Sequence, residues 1–450
     1  MKRSTKSVLA TLVLLLTGLS AQAQTEYSLT QAIEYALLNN ENILIAELNR
    51  QDADAQVFET RADGLPQING NFGYINNPTL QSSILDISTF DPSVPVGTEQ
   101  AVQFGISNQA DFNLSASQMI WDGSFFIGLK AAKLLREKVD IDKAKAEVDV
   151  VEQVTKAYYL VLVNQTRIGL LESNIANLDS TLNETRVLYE NGFAEKIDVS
   201  RLQVQMNNLK AEREGVLQGV NMSINLLKVT MGMPVNEPII LTDELESIDF
   251  DYDPQEIANF SFQERLEVQQ INYLRQLAEL DIKNVRSGYI PKVQLNAAWG
   301  RNTGASTFGD TWQGDRWFSY SNVGVNVSIP VFDGFRKKYS IQRKRVQLYT
   351  LDNQYKLLTN DLSRQLKDAR EALDVSLQRL EVQEANMDLA KEVNDITREK
   401  YREGVGSNLE VLNAEEDYKE AETNYLSALY DAILAKVDLD KALGKLKNQQ

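Results

Sequence analysis

The sequence predicts a mainly α-helical, internally duplicated chain that carries four amphipathic strands of the membrane type. Three observations predict it. First, the stretch RVLYENGFAEKIDV at Arg186–Val199 has a twin, REKYREGVGSNLEV, at Arg398–Val411. Tyr189 and Tyr401, Gly192 and Gly404, Asp198 and Glu410, and Val199 and Val411 are each 212 residues apart. Second, long helical patterns flank each twin, so each reads as the tip of a helical hairpin. Third, the apolar period switches to two in four short stretches whose opposite face is Asn, Gln, Ser and Gly.

Bulk composition narrows the function classes. The chain has 450 residues, 43% of them hydrophobic, which is too long for one small core and calls for two units or one extended fold. It has no Cys, which excludes a disulfide framework and a lipid-modified N-terminal Cys. It has no His, so Ser-His-Asp and Cys-His catalysis and a His- or Cys-ligated zinc or copper site are excluded too. The net charge of -17 argues against nucleic acid, whose phosphates need a basic face. No cofactor or metal is expected.

Residues 1–23 read as a signal peptide. Lys2, Arg3 and Lys6 precede the apolar run Val8–Leu16, and Ala21-Gln22-Ala23 fits a cleavage site. Removing those three cations would take the charge from -17 to -20. No later run reaches about 18 apolar residues, so no transmembrane helix is expected.

The first copy begins with a helix over 29–63, capped by Ser28 or Thr30 and striped by Ala32, Ile33, Ala36, Leu37, Ile43 and Ala46. Pro66 ends it. Ile68, Gly70, Phe72 and Tyr74 then alternate with Asn69, Asn71 and Gly73 as a strand. Residues 76–101 hold Pro78, Pro92, Pro95 and Gly97 and read as a long loop. A second strand has Phe104, Ile106, Ala110, Phe112, Leu114, Ala116 and Ile120 on one face, with a break at Asn108. Trp121-Asp122-Gly123 turns the chain into a proline-free helix to residue 190, seamed by Ile168, Leu171, Ile175, Leu178 and Leu182 at coiled-coil spacing. After the tip a return helix at 195–231 places Val199, Met206, Val220 and Leu227 on one seven-residue comb.

Residues 232–257 form a linker broken by Gly232, Pro234 and Pro238, with seven acids from Asp243 to Glu256. The pattern then repeats. A helix over 261–288 stops before Pro291. One strand shows Val293, Leu295, Ala297 and Trp299, and another shows Val323, Val325, Val327, Ile329 and Val331. A loop at 301–319 separates them, and Phe332-Asp333-Gly334 answers Trp121-Asp122-Gly123. A helix over 335–402 carries Leu362, Leu366, Ala369, Leu373, Leu377 and Leu380, and its return helix has Ala414, Ala421, Ala428 and Ala435 every seven residues. The chain therefore divides into a signal peptide (1–23), a first repeat (24–231), an acidic linker (232–257) and a second repeat (258–450). The long helices span roughly 100 Å, and two short ones end to end match one long one, which predicts a tall wall rather than a globule.

Four strands are too few to close a barrel, and open apolar edges are hazardous. The strands are therefore expected to be shared among several copies, with the apolar face toward lipid and the polar face toward a water-filled lumen. A soluble sandwich would alternate in the same way with its apolar face inward. The export signal and the lack of an apolar helix favour the membrane. Phe72, Tyr74, Phe104, Trp299 and Phe332 near strand ends fit an aromatic girdle, or ordinary core packing.

Taken together, these features resemble the outer-membrane efflux protein family, the TolC-like channels. The residues that carry the resemblance are the tips YENGFAEKIDV and YREGVGSNLEV, the turns WDG and FDG, the breaks at Pro66 and Pro291, and the helix ends Met231-Gly232 and Leu443-Gly444, over about residues 27–445. The resemblance implies a homotrimer with a 12-stranded outer-membrane barrel in lipid and a long periplasmic α-helical barrel. It also implies a tripartite partnership with a periplasmic adaptor and an inner-membrane transporter, for efflux or type I secretion.

Two sets of site residues follow. Gly192, Phe193, Asp198, Gly404, Val405, Gly406 and Glu410 form the tips, which the resemblance implies are the adaptor-docking surface. The glycines also suit tight turns through positive φ, and a carboxylate at a helix start suits the helix N-terminus. Asp395, six residues before Tyr401, matches an acidic position that rings the periplasmic entrance in the family. Arg398 stands where some relatives carry a second acid, so a single ring is expected here. The competing readings are a periplasmic coiled-coil scaffold or adaptor without a pore, and an extracytoplasmic enzyme limited to carboxylate chemistry of the glycosidase kind.

Overall fold

The computed structural model describes residues 25–91, 93–245, 249–258 and 260–448. The signal peptide expected at 1–23 lies outside them. In chain order the first copy comprises β1 (Thr25–Tyr27), α1 (Leu29–Asn39), α2 (Glu41–Ala62), β2 (Gln67–Asn76), β3 (Ser82–Asp86), β4 (Glu99–Gln103), β5 (Asn108–Trp121), α3 (Gly123–Glu190) and α4 (Lys196–Met231). The connection carries β6 (Ile239–Leu241) and α5 (Pro254–Ala258). The second copy comprises α6 (Leu266–Ser287), β7 (Lys292–Ala305), α7 (Phe308–Thr311), β8 (Phe318–Ser328), α8 (Arg336–Arg402) and α9 (Asn408–Ala442). The same succession of short helix, two main strands, long helix and return helix runs twice.

Compactness divides the chain crosswise to the copies. Among the described residues, one unit holds 25–49, 140–270 and 355–448; the other holds 50–139 and 271–354. Each takes a part of both copies.

The helical unit is built on the seams. Leu171, Leu178 and Leu182 of α3 bury against Leu202, Met206 and Leu209 of α4, with Ile168, Ile175 and Val199 partly buried beside them. Leu366 and Leu373 of α8 pack with Ala435, Leu439 and Ala442 of α9. A third core gathers Ala32, Ile33, Ala36, Val151, Val154, Tyr158, Val161, Leu227 and Met231.

In the strand unit β2, β5, β7 and β8 form one antiparallel sheet in that order. Asn108 ties its far end. Its Oδ1 accepts from Tyr74 Oη and Asn76 Nδ2, both at 2.7 Å, and its Nδ2 donates to the Ser306 carbonyl at 3.1 Å.

Several boundaries differ from the sequence expectation, each for a local reason. The helix expected over 29–63 breaks at Asn40, whose extended backbone (ψ 130°) ends α1. Its side chain accepts from the Asn42 N–H and donates to the Thr230 carbonyl, each at 2.8 Å, a tertiary bond that no periodicity records. The loop at 76–101 contains the hairpin β3–β4, joined from Ser82↔Gln103 to Asp86↔Glu99. The second strand starts at Asn108 rather than Phe104, because Gly105 turns to φ 122°. β7 runs on to Ala305 and β8 stops at Ser328, since Pro330 lacks the N–H a ladder needs. The linker contributes β6, which pairs in parallel with β1 from Thr25↔Ile239 to Tyr27↔Leu241.

Candidate functional site: a two-faced sheet and two helix tips

The strand pairing lines up chemistry by face. Phe72 lies opposite Phe112, Leu114 opposite Trp299, Leu295 opposite Val325 and Val293 opposite Val327. The other face pairs Asn69 with Ser115, Asn71 with Asn113, Asp111 with Asn302 and Gln294 with Asn326. One side of the sheet is mainly apolar, interrupted by Arg301 opposite Phe112 and Ser319 and by Gln118 opposite Leu295, and it is open: Ile68, Phe72, Leu114, Trp299, Val323, Val325 and Val327 are all exposed. A soluble sandwich would cover that face. An exposed, mainly apolar face backed by a polar one is what a wall between lipid and water requires. β2 and β8 each have one unpaired edge in the sheet. At the far end Phe72 stacks on Trp312 at 6.1 Å between centroids and Tyr74 on Trp312 at 6.0 Å. At the near end Trp121 meets Phe126 at 5.3 Å.

Both tips are Schellman turns. The Gly192 N–H donates to the Tyr189 carbonyl at 3.0 Å, and the Phe193 N–H to the Leu188 carbonyl at 2.8 Å. In the second copy the Gly404 N–H reaches the Tyr401 carbonyl at 3.1 Å and the Val405 N–H the Lys400 carbonyl at 3.0 Å. Gly192 and Gly404 hold φ of 80° and 76°, the left-handed conformation this motif puts on glycine. Gly406, expected with them for positive φ, does not adopt it. It is small for a different reason: a Cβ there would sit 3.1 Å from the Tyr401 nitrogen. Asp198 closes a capping box by accepting from the Glu195 N–H at 3.3 Å, while the Glu410 N–H donates to Ser407 Oγ at 3.3 Å. The residue after the left-handed Gly usually packs back on its own helix. Here Phe193 is 82% and Val405 78% exposed, so both tips present apolar side chains outward.

Asp395 and Arg398, the residues expected at the entrance, take separate surroundings. Asp395 is exposed on α8, and its charge, with burial and a hydrogen bond to Glu422 ahead of it, helps push the Tyr418 hydroxyl of α9 upward. Arg398 is half-buried and acts instead on Glu415. Glu415 is pushed up to about 7 by burial, against the opposing pull of Arg398. Glu415 Oε1 and Asn394 Oδ1 are both buried without a hydrogen-bond partner, and both residues line one cavity of about 20 Å³.

One contact near the tips was not legible beforehand. Just above the tips, the Thr185 and Tyr401 hydroxyls are 2.9 Å apart, and Arg402 pairs with Glu184 at 3.6 Å. This clasp joins the end of α3 to the end of α8. Sequence position marks Tyr401 only as the counterpart of Tyr189, because its partner is 216 residues away.

No helix among the described residues is long and apolar enough to cross a membrane. The chain is 22% identical to the probable efflux pump outer membrane protein TtgC of Pseudomonas putida, over 93% of this chain and 83% of that one. It is 20% identical to the outer membrane protein TolC of Vibrio cholerae, over 94% and 92%. The solved channel CusC superposes with a TM-score of 0.72 at 17% identity, covering 92% of this chain and 91% of that one. VceC of Vibrio cholerae gives 0.68 at 15%, covering 92% and 96%. Residues 32–226 and 261–445 match the family model described as outer membrane efflux protein. Those spans take in both hairpins and all four sheet strands, so the chain belongs to the outer membrane efflux protein family and is an outer-membrane channel rather than a pore-less scaffold.

Proposed function

We propose that three copies join β2 to β8 into one 12-stranded barrel, and that the assembly is the passive exit duct of a tripartite efflux or type I secretion system. The observation that carries this reading is the sheet itself, four strands with two open edges, an apolar face and a polar face. A sheet with those edges needs partners, and a second and third copy supply them with the same alternation. The duct does no chemistry of its own, and an inner-membrane transporter supplies the energy.

In this reading the exposed Phe193 and Val405 tips receive the periplasmic adaptor. The clasp at Thr185, Tyr401, Glu184 and Arg402 keeps the entrance closed, and Asp395 of the three copies rings it. Three nearby carboxylates share a strong field that attracts cations. Asp395→Ala should therefore weaken divalent-cation block of the pore; unchanged block would remove Asp395 from the gate.

The absence of native Cys makes the assembly directly testable. Asn71→Cys on β2 and Asn322→Cys on β8 stand three strand spacings apart in one chain, about 14 Å, too far for one disulfide. A short thiol cross-linker should therefore yield a covalent three-copy species from membranes. A product that stays monomeric would refute the shared barrel. Dye accumulation in cells lacking the protein, reversed by a complementing copy, tests efflux.

A further inference from the structure

Residues 336–345 read RKKYSIQRKR, six of the 46 Lys and Arg in ten positions, with no acid, in a chain of net charge -17. They are the first turns of α8, reached from β8 through Ile329–Phe335. The matching start of α3, Phe125–Leu134, carries only Lys130 and Lys133. The basic run is therefore not a requirement of the strand-to-helix turn. The far end of the strands has the opposite charge: residues 77–107 hold Asp86, Asp91 and Glu99 and no Lys or Arg.

Two of the six cations have carboxylate partners. Lys337 pairs with Asp333 at 3.1 Å, and Lys344 with Asp281 at 2.7 Å. Arg336, Lys338, Arg343 and Arg345 are exposed. Lys338 Nζ lies 5.8 Å from the ring centroids of both Phe335 and Tyr339. Phe335 holds φ 64°, a costly conformation for a bulky residue, and its ring meets Phe332 edge-on at 5.5 Å. Phe332, Phe335 and Tyr339 are all exposed, so the strained turn holds its ring out of any core. The apolar row Val323, Val325 and Val327 continues through exposed Ile329 and Val331 into this collar. Aliphatic, then aromatic, then cationic is the order met on leaving hydrocarbon for water.

We propose that this collar binds the anionic phosphate headgroups of phospholipids in the leaflet at the helix-bearing end of the strands, with Arg336 and Lys338 as the contacting cations. The proposal rests on the outer-membrane channel reading and adds the lipid class and the residues. A zwitterionic headgroup brings its own ammonium to its phosphate, whereas an anionic one offers net negative charge to exposed cations. The headgroup layer is about 5–8 Å deep on each side. Arg336 and Lys338 sit in the first helical turn, inside it. Arg343 and Arg345 lie about 10–14 Å farther along the helix, beyond the layer and beyond a Debye length of about 8 Å.

The test uses the full-length protein in phosphatidylethanolamine vesicles containing brominated phosphatidylglycerol or brominated phosphatidylethanolamine, read by tryptophan quenching. Trp121, beside Phe126, reports the same end of the sheet. Brominated phosphatidylglycerol should associate at least about threefold more strongly, with the preference falling toward one at high salt. Arg336→Gln/Lys338→Gln should abolish it, and Arg343→Gln/Arg345→Gln should keep it. Equal quenching by the two lipids, or a preference unchanged in the first double variant, overturns the proposal. Failure of the wild-type protein to insert at all overturns the channel reading, and this one with it.

Discussion

The two copies build the same turn from different residues. In the first tip a Glu195–Asp198 box caps the return helix and Tyr189 faces outward; in the second Ser407 caps it and Tyr401 bonds to Thr185. The helix ends farther on diverge in the same way. Gly232 and Gly444 both hold left-handed backbone, φ 73° and 71°. A Cβ on Gly232 would lie 2.5 Å from the Asn39 carbonyl oxygen, whereas on Gly444 its nearest neighbour is Arg265 Cδ at 4.0 Å. Duplication thus preserves backbone geometry, while the load each copy bears is set by what packs against it.

That difference is sharpest in stability. Gly232→Ala meets immovable backbone as well as left-handed strain and should cost roughly 3 kcal/mol, while Gly444→Ala pays only the strain, about 1 kcal/mol. Thermal unfolding of the two variants checks this; equal losses would mean that the close approach at Asn39 carries no weight. The tyrosines come next. Tyr401→Phe removes one hydrogen bond of the clasp, about 1 kcal/mol, and should raise single-channel conductance, whereas Tyr189→Phe should leave it unchanged. The comparison breaks if both variants, or neither, conduct more.

Glu415 has no counterpart at the matching position of the first copy, where Gln203 stands. Its carboxyl is raised from 4.5 to about 7 in the folded chain, chiefly by burial. A raised pKa means that the protonated group is the one the fold tolerates. Its contribution is full below about pH 4.5 and is lost as pH rises through about 7. Glu415→Gln should therefore stabilise the helical unit above pH 7, on the order of 1 kcal/mol after allowance for solvent screening, and flatten the pH dependence of melting between those limits. A parallel pH curve in the variant would reject this. The smallest effect on stability is expected at the tips, where Phe193→Ser and Val405→Ser should each change it by less than about 0.5 kcal/mol. Both should nonetheless weaken pulldown of the adaptor, and unchanged pulldown would remove these side chains from the docking surface.

Much of this was legible in the sequence because it is periodic or local. The leucine seam at 168–182, the alternation at 68–74 and 293–299, and the paired glycines at 192 and 404 each follow from a repeat of 3.5, 2 or 212 residues. The β3–β4 hairpin was obscured by its prolines, and the β1–β6 pair by having only three residues in each strand. Gly406 was misassigned because its constraint is the nearness of the Tyr401 backbone rather than its own dihedral. Asp395 and Arg398 look like a pair at i, i+3 but act on different residues of α9.

The sequence by itself determined the two hairpins, the two-faced strands and the exclusion of His and Cys chemistry, because periodicity, turn glycines and composition are properties of neighbours along the chain. Tertiary structure alone decided the sheet order β2-β5-β7-β8, the break at Asn40, the clasp between Thr185 and Tyr401, and the burial that raises Glu415. Each of these depends on residues far apart in sequence arriving at hydrogen-bond or van der Waals distance. That is a property of packing, and no pattern within a single segment encodes it.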